Sequence, residues 1–92
     1  MKTQSFSSVW DAICDTPAEA ANMRVRASLM REIERVIKDA GWNQSEAARR
    51  LGVTQPRVSE LVRGRVDLFS IDKLVVMLDA AGQRVDLVPH AA

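Results

Sequence analysis

Cysteine and histidine are almost missing from this 92-residue sequence, which contains Cys14 and His90 and no other residue of either type. A single cysteine excludes an internal disulfide framework, and one cysteine with one histidine cannot supply the ligand spacing of a zinc site. A thiol enzyme is disfavoured too, because the only histidine stands in the last three residues, at the far end of the chain from Cys14. An excess of one charge sign is also lacking, with 13 Lys and Arg against 12 Asp and Glu, so any electrostatic preference for a partner has to be local. No apolar run approaches the roughly 18 residues that cross a bilayer. Met1 to Ser8 carries one lysine and no apolar stretch of the kind found in a signal peptide. These absences predict a cytoplasmic chain with no membrane partner. There is no internal repeat and no low-complexity tract. No nucleophile, base and oxyanion donors can be named together, so the sequence argues against an enzyme and calls for neither metal nor cofactor.

What is present is enough apolar material, 47% of residues, for one small domain. Residues 1–16 form an N-terminal arm in which Phe6, Val9, Trp10 and Ile13 fall at the i, i+3, i+4, i+7 spacing of one helical face. Thr16-Pro17-Ala18-Glu19 reads as a capping box with proline at the first helical position. The long helix that follows carries the stripe Leu29, Ile33, Val36, Ile37 and Ala40 up to a stop at Gly41. Asn43-Gln44-Ser45-Glu46 repeats the capping pattern and opens a short helix through Leu51, ended by Gly52. Thr54 and Pro56 start a third helix that carries Val58, Leu61 and Val62 up to Gly64. Ser70 and Asp72 start a fourth, with Ile71, Leu74, Val75, Leu78 and Ala81 as its stripe until Gly82. Met23, Met30 and Met77 read as packing residues, Phe69 as the seat of the loop before the fourth helix, and Trp42 as core rather than a base-stacking platform. Arg84, Val85, Asp86, Leu87 and Val88 then alternate polar and apolar, as a half-exposed strand does. The expected architecture is mainly α: a small helical bundle over residues 17–88 with a short C-terminal β-strand, followed by a tail at 89–92.

The informative stretch is Gln44 to Leu61, two short helices joined through Gly52. Two helices crossing steeply over so short a turn need a small residue where they meet and a residue that accepts left-handed backbone; Ala48 and Gly52 meet those demands. Ala47, Leu51, Val53, Val58 and Leu61 supply the apolar positions of a helix-turn-helix. Charge gathers in the same place. Residues 43–65 carry Arg49, Arg50, Arg57, Arg63 and Arg65 against Glu46 and Glu60, a local charge of +3, while residues 1–42 balance to 0 and residues 66–92 carry −2. Taken alone, these arginines read as an ordinary solvated face; on a helix-turn-helix they mark where a duplex would dock.

The run from Asn43 to Gly64 resembles the Xre/Cro/C1 helix-turn-helix family, and Asp67 to Leu74 with the closing segment is similar to its HigA-type antitoxin branch. The resemblance, which spans roughly residues 20 to 88, implies a lambda-repressor-like helical DNA-binding domain and a two-fold homodimer on a palindromic double-stranded DNA operator. It also implies a ribonuclease-type toxin as protein partner. It places the base-reading positions on Gln55, Pro56, Arg57 and Glu60. By its chemistry Gln55 suits adenine, Arg57 suits guanine and Pro56 a thymine methyl, whereas Glu60 either accepts from cytosine or holds Arg57 or Arg63 in place. Gln44, Thr54, Arg63 and Arg65 suit phosphate contacts, with capping as a compatible role for Gln44 and Thr54. Arg84 to Val88 suits antiparallel pairing with its own copy across a two-fold axis. The arm residues Phe6, Val9, Trp10 and Ile13 either pack on the chain's own long helix or bind the toxin. The function expected is an autorepressing antitoxin; the alternatives are an interaction module that mainly neutralises a toxin, and a free-standing repressor without one.

Overall fold

The computed structural model of the chain describes residues 15–89. The arm residues Phe6, Val9, Trp10 and Ile13, with Cys14 and His90, lie outside this range. Four helices follow in order: α1 (Pro17–Ala40), α2 (Gln44–Leu51), α3 (Gln55–Val62) and α4 (Ile71–Ala80), with a 3-10 turn at Val66–Leu68 between the last two.

Each helix starts at a side-chain cap, because the first backbone N–H groups of a helix have no partner within it. Thr16 accepts from the Glu19 N–H at 3.0 Å, Asn43 from Glu46 at 2.8 Å, Thr54 from Arg57 at 3.4 Å and Ser70 from Lys73 at 3.1 Å. Such a cap is worth about 1 kcal/mol. Pro17 and Pro56 occupy first turns, where the missing N–H is not needed. α1 stops at Gly41, whose φ of 70° is left-handed, and Trp42 then donates its N–H back to the Ile37 carbonyl at 3.1 Å. α3 and α4 end short of the expected glycines, at Val62 and Ala80, with Arg63 and Ala81 as cap residues.

The core takes residues from every helix at three- and four-residue spacing: Met30, Ile33 and Val36 from α1, Ala47, Ala48 and Leu51 from α2, Val58 and Leu61 from α3, and Leu74, Met77 and Leu78 from α4. Phe69, in the loop before α4, is buried with them. The α1 stripe is turned slightly from its expected line, since Leu29 and Ile37 are half-buried flanks and Ala40 is exposed. Met23 is half-buried, whereas Met30 and Met77 are fully packed. Truncating a fully buried leucine such as Leu61 costs about 2–5 kcal/mol, so this one cluster sets the orientation of α2 and α3.

One expected element is absent: there is no strand among the described residues. Arg84 to Val88 make no backbone hydrogen bond there, because a strand exists only by pairing and none of the described residues forms a second extended segment beside it. Instead Val85 packs against the core, beside a 300 Å³ cleft lined by α1, α4 and the C-terminal segment. Arg84 and Asp86 form an exposed ion pair at 3.2 Å. Leu87 and Val88 remain 87% and 72% exposed.

Candidate nucleic-acid interface

The orientation of α3 follows from its two buried residues. With Val58 and Leu61 turned into the core, a rotation of roughly 100° per residue puts Pro56, Ser59, Glu60 and Arg63 on the opposite face, and Gln55 and Arg57 on its flanks. Gln55, Pro56 and Arg57 are exposed, and Ser59 and Glu60 are partly so. Pro56 and Glu60 therefore lie on the solvent-facing side of α3, with Gln55 and Arg57 exposed on its two opposite flanks. Ser59 belongs to that side as well and was not singled out by sequence reasoning. The available signal was its spacing, three residues after Pro56 and four after Gln55.

Arg57 is the best-anchored of these side chains. Its Nη1 donates to Glu60 Oε1 at 3.2 Å, and its guanidinium lies over the Phe69 ring, 5.9 Å from the centroid. Of the roles open to Glu60, the geometry shows it holding Arg57, one helical turn away. Arg63 is exposed and has no carboxylate partner among the described residues. Continued past the last turn of α3, the helical period puts it within about 20° of Pro56. Arg65 sits beyond, with its Nε 3.5 Å from Asp67.

The start of α2 faces solvent. Asn43, not Gln44, supplies the cap, which leaves Gln44 exposed at the first helical position with a backbone N–H that has no intrahelical partner. Thr54 accepts from a backbone N–H and keeps its hydroxyl hydrogen to donate elsewhere. Both suit an anionic oxygen.

The remaining two arginines of the stretch are engaged at the end of α2. Glu46 accepts from Arg49 Nε at 3.0 Å and from Arg50 Nε at 2.9 Å. Hydrogen bonds from Arg49 and then Arg50 lower the Glu46 carboxyl to about 2, and the same contact raises Arg49. Arg50 also lies over the Trp42 ring at 5.5 Å. Trp42 is half-buried against the core with a cation on its face, in agreement with a packing role. The platform roles of Phe69 and Trp42 were invisible in the sequence, since both depend on which arginine the fold brings to them. Among the described residues no group of three or more His, Cys, Asp or Glu could hold a metal ion, and no helix is long and apolar enough to cross a membrane.

This geometry agrees with what the chain is similar to. Residues 12–88 match a family described as a helix-turn-helix domain. A solved structure assigned to the XRE family of transcriptional regulators superposes with a TM-score of 0.70 at 32% identity, covering 77% of this chain and 80% of that one. No curated protein matches the sequence significantly. A helix-turn-helix match over most of its length, together with that identity and mutual coverage, shows that this chain belongs to the XRE family of helix-turn-helix transcriptional regulators.

Proposed function

We propose that the protein is a sequence-specific repressor that binds a palindromic double-stranded DNA operator as a homodimer through α3. The observation that carries this reading is the solvent-facing side of α3, which carries Pro56 and Glu60 and is bordered by exposed Gln55 and Arg57, with Gln44, Thr54, Arg63 and Arg65 exposed as flanking groups. In the major groove, Gln55 and Arg57 each form a bidentate base contact worth about 1–3 kcal/mol of discrimination, and the flanking groups set register on phosphates. The role places the protein in the cytoplasm with its DNA. Selection of duplexes by the purified protein from a randomised library tests it: an enriched two-fold symmetric site supports the reading, and enrichment of no sequence overturns it.

The homodimer rests on the C-terminal segment. Among the described residues, the backbone donors and acceptors of Arg84 to Val88 find no partner, Leu87 and Val88 are exposed, and Val76 on α4 is 61% exposed beside the same segment. Pairing with a second copy satisfies the backbone groups and covers the apolar side chains at once.

The antitoxin role is the finer part of this proposal. It is supported by the resemblance of Asp67 to Leu74 and the closing segment to the HigA-type branch, and by the apolar spacing of Phe6, Val9, Trp10 and Ile13 in the arm. The test is co-expression with the product of the neighbouring reading frame. Rescue of growth that is lost in Trp10→Ala, at unchanged melting temperature, supports the arm as the toxin-binding surface. A lowered melting temperature in that variant assigns the arm to the chain's own domain.

A further inference from the structure

A surface arginine normally samples many rotamers, and ordering it at a DNA base opposes binding through lost conformational freedom. Arg57 is different. Glu60 holds one edge of its guanidinium through Nη1 at 3.2 Å, and the guanidinium carbon lies over the Phe69 ring, 5.9 Å from the centroid. Phe69 is itself 1% exposed and sits in the core cluster with Leu61 and Leu74, so the ring is a rigid platform rather than a mobile neighbour. Arg57 remains 47% exposed. One of its five N–H donors is taken by Glu60, which leaves others for a ligand.

We propose that Phe69, which lies outside the helix-turn-helix, is a specificity-determining positioning residue that presets Arg57 for one guanine in each half-site, with Glu60 as the second arm of the clamp. The inference rests on the DNA-reading role of α3 proposed above and adds the residue that makes its arginine selective. The ring works from below: the negative face of an aromatic attracts the guanidinium plane, and the donors left over lie along the guanidinium edge, which is how arginine pairs with the O6 and N7 acceptors of guanine. A residue in the connection to α4 thereby controls base preference without touching DNA.

The test uses the full chain and the duplex enriched from a randomised library, titrated with every single base-pair variant of one half-site. Wild type is compared with Arg57→Ala, Glu60→Gln, Phe69→Leu and Phe69→Met, the last of which fills similar volume without an aromatic face and provides a second core variant should the first not fold. Cooperative thermal unfolding establishes that each variant is folded. Arg57→Ala is expected to remove the preference at one base pair. Each folded Phe69 variant and Glu60→Gln should weaken discrimination at that same base pair by about two- to fivefold, leaving the other positions unchanged. Phe69→Leu should change nothing further in an Arg57→Ala background. Wild-type discrimination in a folded Phe69 variant, a loss spread evenly over all positions, or a loss that persists without Arg57 overturns the positioning role while the DNA-reading role stands. Enrichment of no duplex by the wild type overturns both.

Discussion

The amide of Gly52 donates to the Ala48 carbonyl while the glycine holds a φ of 71°, and this pair closes α2 and turns the chain toward α3. Ala48 is buried, and nothing lies within 4 Å of where a Cβ on Gly52 would stand. The requirement for glycine is therefore backbone conformation alone. Gly52→Ala is expected to lower stability by about 1–2 kcal/mol through left-handed strain, seen as a fall in melting temperature without any new steric clash.

Acid titration should expose the Glu46 contact. The folded-state carboxyl is held at about 2, below its ordinary 4.5, first by the Arg49 hydrogen bond and then by Arg50. A depressed acid contributes stability that is present above 4.5 and lost as pH falls toward 2. Glu46→Gln should accordingly flatten the loss of stability across that window in urea unfolding curves collected as a function of pH. An acid limb as steep as wild type would show that the contact contributes nothing in solution.

Arg57 and Arg65 should part company in DNA binding. Arg57→Ala is expected to relax preference at one position in each half-site, whereas Arg65→Ala should weaken binding to all duplexes alike and reduce the dependence of log K on log salt by about 0.9 per lost phosphate contact. Titrations of specific and random duplexes at several salt concentrations separate the two, and equal losses on both duplexes for both variants would refute the assignment.

Dimerisation through the C-terminal segment predicts that Leu87→Asp and Val88→Asp, at positions 87% and 72% exposed, dissociate the dimer in sedimentation equilibrium while the domain stays folded. Truncation after Gly82 is a less clean probe, because Val85 also packs against the core. A dimer unaffected by either aspartate moves the interface to α4 and its exposed Val76.

Much of this protein is determined by short-range chemistry that can be read directly along the chain. Thr16, Asn43, Thr54 and Ser70 each cap a helix, and Gly41 and Gly52 each end one, because capping and left-handed backbone are settled by residues within four positions of one another. The apolar spacing of Val58 and Leu61 likewise indicates which face of α3 turns inward, whereas Val62, read with them as part of the stripe, is 48% exposed. The tertiary structure decided what depends on neighbours distant in sequence: that Phe69 lies beneath Arg57, that Trp42 faces Arg50, and that Val85 packs on the core while Leu87 and Val88 stay outside. The expected strand at Arg84 to Val88 shows the same division. Alternating residues make a segment able to pair, but a strand needs another backbone to pair with, and none of the described residues supplies one.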